Sequence, residues 1–140
     1  MEPLSNTDYA GPEFLDLLRE AVGVNDQALQ TTIATELPFL SVIGIREAGV
    51  VVAFAAFDSS RDQLVLEYIA VERRMRSAGY GRSLIQHIRE QRPAKELFAE
   101  TDDDAVEFYR RLGFSISNAP TDRRWPERQR YSCVLPPIAQ

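Results

Sequence analysis

The chain has 140 residues, 44% of them hydrophobic and 26% charged, with a formal net charge of -5. That is the size and mix of one soluble domain with its own core, and the acidic balance argues against a general nucleic-acid or membrane surface. A single cysteine, Cys133, excludes an internal disulfide framework. The opening MEPLSNTDYAG lacks the basic and apolar regions of a secretory signal, and no apolar run is long enough to span a bilayer. The expectation is a single domain over residues 1–140 in the cytoplasm.

Taken in chain order, PEFLDLLREAV (12–22) has proline suited to a first helical turn and an apolar stripe of Phe14, Leu17 and Leu18, with Gly23 to end it. A shorter helix is expected near Gln27–Leu37, weakened by its threonines and closed by Pro38. SVIGIREAGVVVAFAAF carries β-branched residues on both sides of REAG, which predicts a hairpin with strands near 41–46 and 50–57. LVLEYIAV (64–71) follows as a third strand, and short connections favour antiparallel pairing of all three.

The period then changes. From Gly81, GRSLIQHIREQ sets Leu84, Ile85 and Ile88 on one helical face ahead of Pro93. KELFAE (95–100) reads as a short strand, parallel to 64–71 if the helix is their crossover. TDDDAVEFYRRLGF starts with capping residues, continues at helical spacing through Ala105, Val106, Phe108, Tyr109 and Leu112, and has Gly113 to close it. Phe114–Ser117 and Arg130–Leu135 close the chain as strands around the loop NAPTDRRWPERQ. The order describes a mixed α/β (α+β) domain rather than a bundle or barrel.

The stretch RSAGYGRS (76–83) joins a strand to a helix. Glycines let the backbone bend and approach a ligand, while free amides and the helix dipole at that point suit a phosphate. Arg73, Arg74, Arg76 and Arg82 crowd this turn against only Glu72, which favours an anionic ligand; the alternative is a plain turn with a solvated basic face. A Walker A loop would need a lysine that is missing, and a dinucleotide fingerprint would need glycine where Leu84 stands.

Three pieces in this order resemble the GNAT superfamily of N-acetyltransferases. LVLEYIAV is similar to its central fourth strand, Arg76-Ser77-Ala78-Gly79-Tyr80-Gly81 matches its [RQ]-x-x-G-x-[GA] pattern, and DDDAVEFYRRLGF resembles its later N-x-x-A-x-x-[FLY]-Y-x-x-x-G-F segment. The resemblance, over roughly residues 41–135, implies a mostly antiparallel central sheet flanked by helices, with a splayed parallel strand pair. It implies acetyl-CoA as cofactor, its pantetheine arm beside Ile69, Ala70 and Val71 and its pyrophosphate on the amides of Arg76, Ser77, Ala78, Gly79, Tyr80, Gly81 and Arg82. Asp102 stands where the family usually has asparagine; an ionised carboxylate cannot donate, so its part in holding the cofactor competes with helix capping. The implied activity is acetyl transfer to the amine of a small molecule or peptide, by direct attack in a ternary complex. A catalytically weak CoA-binding regulatory or protein-interaction domain is the alternative.

Acyl transfer to an amine needs a neutral nucleophile, stabilisation of the developing oxyanion and a proton for the leaving thiolate. Tyr109 matches the family tyrosine beside the cofactor sulfur; otherwise it is an aromatic residue on a packed face. Glu67, a charge inside an apolar strand, is a candidate general base or the partner of an arginine. It sits two positions nearer the glycine turn than in histone-type members, with the same side parity. Glu100 and the run Asp102–Asp104 would attract a cationic amine or simply begin a helix, and their adjacency gives no metal site. His87 is expected to border packing or solvent, Cys133 to be a small core residue, and Trp125 to cover the acceptor site or pin its loop. An exposed edge strand would support a homodimer.

Overall fold

The computed structural model describes residues 1–23, 25–124 and 126–138. The strands are β1 (Glu2–Pro3), β2 (Ser41–Glu47), β3 (Val50–Asp58), β4 (Leu64–Val71), β5 (Leu97–Asp102), β6 (Ser115–Ala119) and β7 (Arg130–Leu135). They form one sheet in the order β1-β2-β3-β4-β5-β7-β6. Every neighbouring pair is antiparallel except β4 and β5, which run parallel.

The helices are α1 (Asn6–Tyr9), α2 (Pro12–Val22), α3 (Asp26–Thr35), α4 (Tyr80–Gln91) and α5 (Val106–Arg111). One core packs Phe14, Leu17 and Leu18 of α2 and Leu29 of α3 against Phe54 and Ala56; the other packs Leu84, Ile85 and Ile88 of α4 and Tyr109 of α5 against Ala53, Ala55 and Phe57. Helices therefore cover both faces of the sheet, and β3 is buried along almost its whole length. None of the described helices is long and apolar enough to cross a membrane.

Local chemistry explains the elements. Pro12 stands in the first turn of α2, and Gly23 ends that helix with its N–H on Arg19 O at 2.8 Å. Asn25 Oδ1 caps α3 by accepting from Gln27 N and Ala28 N. Two of the threonines that weaken α3 on paper bond back to the preceding turn, Thr32 Oγ1 to Ala28 O at 2.9 Å and Thr35 Oγ1 to Thr31 O at 2.7 Å. The hairpin at REAG turns through Ala48 and Gly49, both at positive φ (51° and 81°), the twist a tight two-residue hairpin requires.

Several boundaries differ from the sequence expectation. The fifth strand runs over Leu97–Asp102, two residues later than 95–100, because Leu97 and Ala99 are the residues with a core to enter. α5 consequently starts later, with Ala105 as its N-cap and no capping side chain. Arg73–Ala78, read as loop, is a 3-10 helix, and α4 begins at Tyr80 rather than Gly81. β1 and α1 have no counterpart in the sequence reading; they are held by Leu4 N on Val42 O at 2.9 Å and by Leu4 and Tyr9 in the core under α2.

Candidate functional site

The pairing between β4 and β5 covers only Leu64–Leu66 against Leu97–Ala99. Beyond Leu66 the two strands part, and a cleft of about 870 Å³ opens between them. A bulge in β4 coincides with the parting: Tyr68 pairs with Ala56 and Leu66 with Phe57, which leaves Glu67 as the extra residue. The bulge reverses the side-chain alternation. Leu64 and Leu66 enter the core under α4, whereas beyond it Ile69 and Val71 do so and Tyr68 and Ala70 face α2. Glu67 is thus exposed to the cleft in the middle of an apolar strand.

The free edge of β4 has a defined polarity. Glu72 N donates to Val52 O at 2.7 Å, so alternation along the antiparallel ladder turns the N–H and C=O of Ala70 toward β3 and those of Ile69 and Val71 into the cleft. Arg76 meets that edge: its Nε donates to Val71 O at 3.1 Å, and its Nη2 reaches Glu20 Oε2 at 2.9 Å near the end of α2.

At the far end of this edge Gly79 adopts φ +82°, the left-handed conformation that lets the 3-10 helix pass directly into α4. The first-turn amides of α4, at Tyr80, Gly81 and Arg82, have no acceptor within their own helix. Ser77, Ala78 and Gly79 are exposed beside them, with Arg73, Arg74 and Arg82 also exposed. Tyr80 turns its hydroxyl to Glu47 at the hairpin, which ties β2 to the start of α4. Gly81 is buried: a Cβ there would stand 2.8 Å from Cε1 of the partly buried Phe108 ring of α5, which would have to shift to admit it.

Tyr109 lines the cleft from α5. Its ring packs edge-on against Phe108 and Phe114, each with centroids 5.2 Å away. Burial pushes its phenol well above the ordinary tyrosine range, so the hydroxyl keeps its proton at neutral pH. Glu67 is also raised, first by its enclosure and then by the charge of Glu36. Among the described residues no hydrogen bond or ion pair ends on Glu67; of the arginines, Arg61 and Arg124 act on it only as more distant charges. Asp102 is the last residue of β5 and not a helix cap. Its Oδ1 accepts from Asp104 N at 3.0 Å, and its carboxylate meets Arg128 at 3.4 Å.

The acetyltransferase (GNAT) domain family matches residues 39–116, more than half of the chain. The chain belongs to the GNAT family. No curated protein sequence matches it significantly. Solved structures resemble it over nearly its whole length. The ribosomal-protein-S18-alanine N-acetyltransferase from Escherichia coli shares 21% identity at a TM-score of 0.72, covering 99% of this chain and 94% of that one. An aminoglycoside 6'-N-acetyltransferase complexed with coenzyme A shares 12% at 0.74, covering 99% and 97%. A GNAT family acetyltransferase from Elizabethkingia anophelis with acetyl-CoA bound shares 15% at 0.73, covering 96% and 95%.

The GNAT fold thus brings most of the sequence-selected residues to one cleft. Glu67, Ile69, Ala70, Val71, Arg76, Gly81, Asp102 and Tyr109 all line it, with Glu100 on the opposing strand. Cys133 is fully buried in the core and His87 lies on α4 beside Gln91, both outside the lining. Trp125 lies outside the described residues. The sequence reading missed Glu20, Glu36, Tyr68 and Phe108 as wall residues. Glu36 and Tyr68 come together across 32 positions through Tyr68 Oη donating to Glu36 Oε1 at 2.6 Å, and no local spacing marks such a pair.

Proposed function

We propose that the protein is an acetyl-CoA-dependent N-acetyltransferase, working as one domain over residues 1–140 on the amine of a small molecule or peptide by direct attack in a ternary complex. One observation carries this reading. The unpaired edge of β4 runs straight into a glycine turn that opens α4, so a strand edge suited to an amide-bearing arm leads on to helix amides suited to a diphosphate, with Arg76 and Gly81 of that turn in the cleft lining.

In this reading the N–H and C=O of Ile69 and the N–H of Val71 pair with the pantetheine arm, the Val71 carbonyl being held by Arg76, while Ala70 between them keeps the strand on β3. The amides from Arg76 through Ser77, Ala78, Gly79, Tyr80 and Gly81 to Arg82 receive the diphosphate, helped by the dipole of α4. Asp102, at the end of β5, borders the arm from the other side. Bound acetyl-CoA supplies the acetyl group as a thioester, activated for attack by an amine.

Tyr109 presents a protonated phenol at the cleft wall and donates a hydrogen bond to the departing sulfur; burial makes it a weaker acid than a free tyrosine, so it gives up its proton only as negative charge builds on that sulfur. Glu67 takes the proton from the acceptor ammonium, directly or through water. Its raised pKa makes it a better base than an ordinary glutamate. Direct attack is supported by the state of Cys133, which burial pushes up to about 11, so it stays a thiol inside the core.

Titration of coenzyme A into the folded protein by calorimetry, followed by thiol release from acetyl-CoA across a panel of amines, tests the reading. Binding together with amine-dependent release is expected. No binding by folded protein would overturn it, and binding without release on any amine would favour a CoA-binding regulatory or interaction domain.

A further inference from the structure

We propose that Glu36 makes the cleft selective for acceptors that carry a second positive charge apart from the reacting amine, an inference that rests on the acetyltransferase reading above. Glu36 follows the last residue of α3 and lines the cleft beside Glu67 and Tyr68. One neutral hydroxyl holds it there: Tyr68 Oη donates at 2.6 Å, while Thr32 Oγ1, whose proton goes to Ala28 O at 2.9 Å, lies 3.4 Å from the other carboxylate oxygen. That donor fixes the direction of the carboxylate without cancelling its charge.

Among the described residues no ion pair ends on Glu36, and Arg124 acts on it only as a more distant charge. Glu36, Asp58, Arg61 and Arg124 are the charges that act on Glu67. Arg61 pairs with Asp58 at 3.3 Å. Arg124 grips Asp122 through Nε and Nη2, at 3.1 and 2.8 Å, and its pull holds Asp122 down at about 2. Two carboxylates therefore share one wall, the first fixed by a neutral donor and the second set by a bulge to face the cleft. Each has a distinct task. Glu67 accepts the proton of the amine that reacts, which becomes neutral, so only a second ammonium gives Glu36 a direct ion-pair partner in a partly enclosed site. The matching acceptor is a linear diamine or a larger polyamine.

Butane-1,4-diamine and butylamine differ by the required charge and serve as probes, titrated by calorimetry into the protein saturated with coenzyme A. Wild-type protein is expected to bind the diamine about tenfold more tightly than the monoamine. In Glu36→Gln, whose amide oxygen still accepts from Tyr68 Oη, the ratio should fall to near one. Equal affinities in wild type, or a preference that survives the substitution, would overturn the inference. The coenzyme titration is read separately: loss of that signal counts against the acetyltransferase reading, whereas intact coenzyme binding without diamine preference counts against the role of Glu36 alone.

Discussion

Replacing Gly81 with alanine sets two known effects against each other. In a helix alanine is ordinarily about 1 kcal/mol better than glycine. Here the added Cβ would sit 2.8 Å from Phe108 Cε1 and 3.0 Å from Cζ, inside van der Waals contact. The ring cannot retreat freely, because it stands edge-on to Tyr109 at 5.2 Å, a pair worth about 1 kcal/mol. Overpacking of this kind costs about 1–3 kcal/mol, so the expected result is a net loss of about 0–2 kcal/mol where helix propensity alone promises a gain. Urea unfolding measures it, provided the denaturant slope is unchanged. Phe108 also lines the cleft, so its displacement should weaken coenzyme A binding by about tenfold. A variant about 1 kcal/mol more stable than wild type, with undiminished coenzyme affinity, would refute the argument that α5 needs this glycine.

Tyr109→Phe keeps the ring packing and removes the hydroxyl, so acetyl transfer should slow by about 100-fold with coenzyme affinity unchanged; an unaltered rate rejects the proton-donor role. Because enclosure and Glu36 both raise Glu67 and the base must be ionised, kcat/KM should rise with pH through a limb above the ordinary glutamate value of 4.5. Glu67→Gln should abolish that limb, and a profile that retains it would remove Glu67 from catalysis. Gly79→Ala meets no atom within 4 Å but forces a side chain to φ +82°, so the unfolding midpoint should drop by the equivalent of about 1 kcal/mol even without ligand. An unchanged midpoint would mean that the turn does not need its left-handed residue.

The parts of the fold that the sequence made legible are those written in local chemistry. Alternating β-branched residues around REAG, the apolar stripe of α2 and the glycine turn before α4 each specify their element within a few positions. Asp102 was harder, since a run of aspartates before a helical pattern reads as a cap, while the register against β7 carries the strand through Asp102 itself. The bulge at Glu67 has no local signature: strict alternation predicts its side, and only pairing with β3 reveals the inserted residue. The same limit hid Glu36, whose importance depends on meeting Tyr68 from another layer of the fold.

Three shared pairs join β4 to β5, and past them the facing backbones run on without each other. A strand border of that kind normally sits on the outside of a protein, where it invites pairing with foreign chains. Here it is turned inward, between walls built from α2 and α5. The molecule therefore keeps a ready template for strand-like pairing that admits only a slender guest, and it is spared the aggregation hazard such a template carries on an open surface.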